Sequence, residues 1–65
     1  MKFNIRQIRN DKRMSQEELA EKSGVSRATI SGLETNPDVI TTTETLQKIA
    51  KALGVRVSDF FTEEV

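Results

Sequence analysis

Cysteine, histidine, tryptophan and tyrosine are all absent from this 65-residue chain. The lack of cysteine excludes a disulfide staple and a thiolate metal site. With neither histidine nor cysteine, the commonest general bases, nucleophiles and zinc ligands are missing. There is no Gly-rich phosphate loop, and so short a helical chain can hardly enclose a deep, water-free cleft. The carboxylates are scattered over helix starts and exposed faces, where caps explain them. A nucleophile, its base and oxyanion donors never come together, which argues against an enzyme and against any cofactor or metal. No apolar run approaches the roughly 20 residues that cross a bilayer, and no signal-peptide pattern opens the chain. Both absences predict a cytoplasmic protein with no membrane role. Aromatics are limited to three phenylalanines and proline to one. One small core, near the lower size limit for independent folding, must therefore be held by helix packing, helped by dimerisation.

Net charge is also lacking, which at first argues against a nucleic-acid partner. Its distribution answers part of that objection. Residues 1–27 hold seven Lys and Arg against four Asp and Glu, and residues 28–65 hold three against six, so the two parts carry +3 and −3.

The most informative stretch is Ser15 to Glu34, SQEELAEKSGVSRATISGLE. Ser15 followed three residues later by Glu18 is a capping-box pattern that starts a helix. Leu19 and Ala20 give that helix an apolar stripe. Gly24 suits the left-handed backbone that ends it. Ser26 is a second N-cap, and Ile30 and Leu33 give a second helix its inward face. Two short helices joined by a tight Gly-containing turn are a helix-turn-helix unit, here over about residues 16–35. Ala20, four before Gly24, lets the helices cross closely, and Leu19, Val25, Ile30 and Leu33 can meet in one patch.

With these residues in place the segment resembles the helix-turn-helix of the Cro/C1-type family, the phage-repressor-like or XRE class of regulators. LQKIAKALGV (Leu46–Val55) is similar to that family's fourth helix and VSDFF (Val57–Phe61) to its short fifth, so the likeness covers nearly the whole chain. Ser23 departs from it, standing where the family usually has an apolar residue. A hydroxyl there can bond back to a preceding carbonyl. The resemblance implies an all-α fold, a compact bundle of five short helices with a lambda-repressor-like DNA-binding domain filling residues 1–65. It also implies an ion pair between Arg9 and Glu34. Glu34 would otherwise be an acid beside phosphates in need of neutralisation.

The remaining elements follow from local signals. Helix 1 is expected from about Asn4 to Arg13, capped by Asn4 with Gln7, with Ile5, Ile8 and Met14 inward. Pro37 ends helix 3 at Asn36, and Val39 or Ile40 is expected to plug the core. Helix 4 starts with Thr41 and Glu44, or one residue later. Leu46, Ile49, Ala50 and Leu53 form its stripe, and Gly54 closes it. Helix 5 is expected from about Val57 to Thr62. Phe60 and Phe61 point about 100° apart on a helix. Phe60 suits the core, and Phe61 is either a second core contact or the exposed anchor of a dimer contact.

In such a unit the second helix lies in the DNA major groove and the first crosses the backbone. Ile30 and Leu33 face inward, which leaves Arg27, Ala28, Ser31, Gly32 and Thr35 outward. The resemblance places base reading at Arg27, Ala28 and Gly32, with Ser31 beside them. Arg27 can fork onto guanine, Ala28 can touch a thymine methyl, and Ser31 can donate or accept. Gly32 has no side chain to read with but permits close approach. Gln16 opens helix 2, where free N–H groups favour an anion. With the short polar groups Ser26, Thr29, Thr35 and Asn36 it makes the phosphate-contacting set, and Arg13 and Lys12 are weaker candidates beside it. The function expected is sequence-specific binding of a double-stranded DNA operator by a homodimeric repressor. Two alternatives stand beside it: an antitoxin or other protein-interaction module with a toxin or regulator as partner, and the DNA-binding fragment of a longer repressor.

Overall fold

The computed structural model describes residues 4–36 and 41–61. Four α-helices follow one another: α1 (Ile5–Asp11), α2 (Gln16–Ser23), α3 (Arg27–Thr35) and α4 (Thr43–Leu53). A 3₁₀ turn, Val57–Phe60, closes the series. The architecture is the expected all-α bundle, with no strand among the described residues.

Three of the helices start at side-chain caps. The hydroxyls of Ser15, Ser26 and Thr42 accept from the N–H groups of Glu18, Thr29 and Thr45. Each cap satisfies one of the orphan donors of a first turn. Glu18 does not complete a box with Ser15; its carboxylate turns to Lys22 at 3.2 Å. For α4 the later of the two expected starts is realised, with Thr42 as cap. Gly24 (φ +74) and Gly54 (φ +73) close α2 and α4 in the left-handed conformation.

Helix α1 differs from expectation at both ends. Asn4 makes no side-chain cap. Its N–H instead donates to the Phe60 carbonyl at 2.7 Å, which ties the residue before α1 to the 3₁₀ turn. The helix stops at Asp11 rather than Arg13, because Arg13 is left-handed (φ 55). Arg13 N–H reaches Asn10 O at 2.9 Å and Met14 N–H reaches Arg9 O at 3.0 Å. These two bonds make a Schellman closure with arginine at the position glycine usually fills. Ser23 also behaves otherwise than expected. Its hydroxyl accepts from the Val25 N–H ahead of it (3.1 Å) instead of bonding to a carbonyl behind, and so braces the turn of the helix-turn-helix.

The core is one cluster: Ile5, Met14, Leu19, Val25, Ile30, Leu33, Leu46, Ile49, Ala50, Leu53 and Phe60. Helix α2 packs on both α3 and α4, α1 packs on α3, and the 3₁₀ turn packs on α4. The fifth element is tighter and shorter than the expected helix to Thr62. Asp59 accepts from the Arg56 N–H at 3.0 Å, and Phe61 N–H reaches Ser58 O, three residues back. Phe60 is fully buried, whereas Phe61, already extended, is 40% exposed. The expected core plug at Val39 or Ile40, the stop at Pro37 and the last residue of helix 5 lie outside the described residues.

Candidate nucleic-acid interface

Helix α3 turns 100° per residue, so inward positions leave a complementary outward face. Ile30, Leu33 and Glu34 are buried. Arg27, Ala28 and Thr29 in the first turn and Thr35 in the last are exposed, while Ser31 and Gly32 are half-buried. The outward face is therefore open at its N-terminal end and partly covered in the middle. Arg27 makes no ion pair among the described residues, so its guanidinium fork stands free at the start of the helix.

A hydroxyl has one proton to give, and two of the candidate phosphate contacts have already committed theirs. Ser26 Oγ accepts from Thr29 N–H and donates to Thr29 Oγ1 at 2.8 Å. Thr35 Oγ1 donates to the Ser31 carbonyl at 2.8 Å. Thr29 keeps its own hydroxyl proton, with no acceptor among the described residues. Asn36 is exposed at the C-cap of α3, where its N–H donates to Gly32 O at 2.9 Å.

Arg9 and Glu34 come together in a buried two-armed pair. Arg9 Nε donates to Glu34 Oε2 at 2.8 Å and Nη2 to Oε1 at 3.0 Å. The remaining arm, Nη1, donates to the Met14 carbonyl at 2.7 Å. Gln16 Nε2 donates to Glu34 Oε1 at 3.1 Å. The Arg9 and Glu34 side chains are only 11% and 1% exposed. Burial pushes the Glu34 carboxyl up, but the bonds from Arg9 and Gln16 and the charges of Arg9 and Arg6 outweigh it and hold the group below its usual range. The bond to Glu34 raises the Arg9 guanidinium further, against the opposing effect of burial. One cluster thus joins the end of α1, the start of α2 and the end of α3. No buried side-chain nitrogen or oxygen among the described residues lacks a partner.

Two of these bonds were not foreseen. Gln16, singled out for phosphate, spends one of its two amide protons on Glu34 and keeps the other. Arg9, expected to hold Glu34, also holds the turn at Met14. Neither bond has a signature in residue spacing, because its ends are brought together only by packing.

Among the described residues no three His, Cys, Asp or Glu side chains gather to hold a metal. A cavity of about 480 Å³ between α2 and α4 is lined by Lys22, Ser23, Lys48, Lys51 and Ala52, without an acid–base pair. No helix among the described residues is long and apolar enough to cross a membrane.

Two short helices crossing at a left-handed glycine, with the second presenting a polar outward face, define a helix-turn-helix domain. A family model described as helix-turn-helix matches residues 5–60. The chain belongs to that helix-turn-helix family, of the Cro/C1 type, which is one of DNA-binding regulators rather than enzymes. No curated protein matches the chain.

Proposed function

We propose that this chain is a small transcriptional repressor that binds a specific double-stranded DNA site as a homodimer. Its single domain spans residues 1–65, with the helix-turn-helix at about 16–35, and α3 enters the major groove. The observation that carries this reading is the exposed first turn of α3, with Arg27 and Ala28, standing on a helix whose far end is locked to the start of α2 by the buried Arg9–Glu34–Gln16 cluster. A rigid relation between those two helices is what base reading demands. The groove-reading helix must keep its register while the other meets the backbone.

In this reading Arg27 forks onto a guanine and Ala28 meets a thymine methyl. Ser31 reads a neighbouring edge, and Gly32 lets the backbone come close. Gln16 gives its second amide proton to a phosphate, and Thr29 gives its hydroxyl proton. Ser26, Thr35 and Asn36 line the same strand, the two hydroxyls by rotating out of their internal bonds. Phe61, the exposed large apolar side chain among the described residues, is the proposed dimer contact.

Selection from a random duplex library at near-physiological salt tests the reading. The expected result is an enriched inverted repeat with half-sites about one helical turn, roughly 34 Å, apart. A single enriched half-site would keep DNA binding and remove the dimer. No enrichment by folded protein would overturn the DNA reading and favour the protein-interaction module, for which the exposed Phe61 is the supporting feature.

A further inference from the structure

Three described helices end in a left-handed residue. At α2 and α4 that residue is glycine, but at α1 it is Arg13, the one non-glycine residue at positive φ among those described. A side chain disfavours this conformation, because its Cβ crowds the following carbonyl. Such a cost persists only where the surroundings enforce it. Here they do. Met14, the next residue, is buried in the core. The Met14 N–H is bonded to Arg9 O, and the Met14 carbonyl accepts from the Arg9 guanidinium at 2.7 Å.

Nothing inside the molecule offsets that cost through the Arg13 side chain. Arg13 is exposed and has no ion-pair or hydrogen-bond partner for its guanidinium among the described residues. Its nearest acids in sequence, Asp11 and Glu17, make no pair with it. Its position, in contrast, is well determined. Arg13 lies two residues before Ser15, the cap of α2, so their Cα atoms are at most about 7 Å apart. The Arg9 guanidinium that grips Met14 also grips Glu34 at the end of α3. The turn bearing Arg13 is thereby fixed relative to both the helix over the backbone and the helix in the groove.

We infer that Arg13 is a DNA-backbone contact. Its guanidinium takes a phosphate oxygen of the strand that passes the start of α2, and the left-handed backbone holds it there ready-made. A strained conformation kept for an exposed cation exchanges folding stability for a pre-placed charge. The inference rests on the DNA-binding reading above and adds a residue to it.

The test sets stability against binding in Arg13→Gly, with Arg13→Lys alongside. Urea unfolding is followed for each, together with fluorescence anisotropy on the selected duplex and on an unrelated one over a range of salt. Arg13→Gly raises the folding equilibrium constant roughly two- to fivefold, since the left-handed penalty exceeds the extra chain entropy of glycine. It weakens binding to both duplexes about eightfold per half-site at 0.1 M salt. The slope of log K against log salt falls by about 0.9 per half-site, as expected for one lost phosphate contact. Arg13→Lys keeps the salt slope and gains no stability. If Arg13→Gly binds as tightly as the parent with an unchanged slope, Arg13 is not a contact even though the protein binds DNA. A change confined to one base position would make it a base reader and overturn the inference. A lower urea midpoint would show that the left-handed backbone imposes no cost, and the argument would fall. A parent protein that binds neither duplex overturns the DNA reading itself, and this inference with it.

Discussion

Removing Arg9 from the Arg9–Glu34 pair leaves a buried charge without its partner, at the one buried polar residue among those described. The Glu34 side chain is 1% exposed, so Arg9→Ala strands a carboxylate almost out of water with only the Gln16 amide to serve it. Stranding one partner of a buried pair costs about 3–5 kcal/mol. At about 0.05–0.15 kcal/mol per residue a chain this short has only some 3–10 kcal/mol in hand. Arg9→Ala should therefore leave the protein marginal or unfolded at 25 °C, read by far-UV circular dichroism in urea.

Replacing both charges, as Arg9→Met with Glu34→Leu, removes the stranded ion. The double variant also leaves the Met14 carbonyl and the Gln16 amide without their partners, each a loss of about 1 kcal/mol. It should fall about 2 kcal/mol below the parent yet stay clearly above Arg9→Ala. The pair has a pH signature too. The Glu34 carboxyl is held below its unfolded value, so the unfolded chain binds the proton more readily. The stabilisation is complete above about pH 5, where the unfolded carboxyl is ionised, and is lost as pH falls through the folded pKa. The parent should lose stability in that acid range, and the double variant should lose less. A loss below about 1 kcal/mol in Arg9→Ala, set against the buried-pair expectation, would refute this reasoning. A double variant no better than the single one would do the same.

Other perturbations probe the core, the groove face and the dimer. Leu19→Ala, at a fully buried core side chain of α2, should cost about 2–5 kcal/mol in urea melts; a loss under about 1 kcal/mol would mean the site collapses around the gap. Arg27→Ala should reduce specific affinity by about 1–3 kcal/mol and relax preference at one base pair in a repeated library selection. An unchanged preference would remove Arg27 from base reading. Phe61→Ala should shift light scattering toward monomer and lower DNA affinity while leaving the urea midpoint in place. An unchanged dimer with unchanged affinity would place the interface elsewhere.

What could be read from the residues alone was local in origin. The caps at Ser15 and Ser26, the left-handed glycines 24 and 54, and the α4 stripe of Leu46, Ile49, Ala50 and Leu53 each depend on neighbours within four or five positions. One turn of helix settles such features, so spacing reveals them. The Arg9–Glu34 pair was reachable only through a family likeness, since its partners are 25 residues apart. Spacing says nothing about which charges packing will bring together. The outward face of α3 was legible from its two inward residues. Which of its hydroxyl protons remain free was not, because that depends on rotamers settled in place.

Packing settled how Asn4 meets Phe60 and how the turn after α1 is made. Phe60 must fill the core while its carbonyl takes the Asn4 N–H, and a 3₁₀ turn rather than a longer helix meets both demands. Arg13 is left-handed because Met14 is drawn into the core and gripped by Arg9, against the preference of its own backbone. The placing of α1 to α4 and the faces they bury could be read from the residues, since hydrogen bonding and burial act along a single helix. Only the packed molecule could decide where α1 stops and which cation is left standing at the start of α2, because there long-range contacts override local preference.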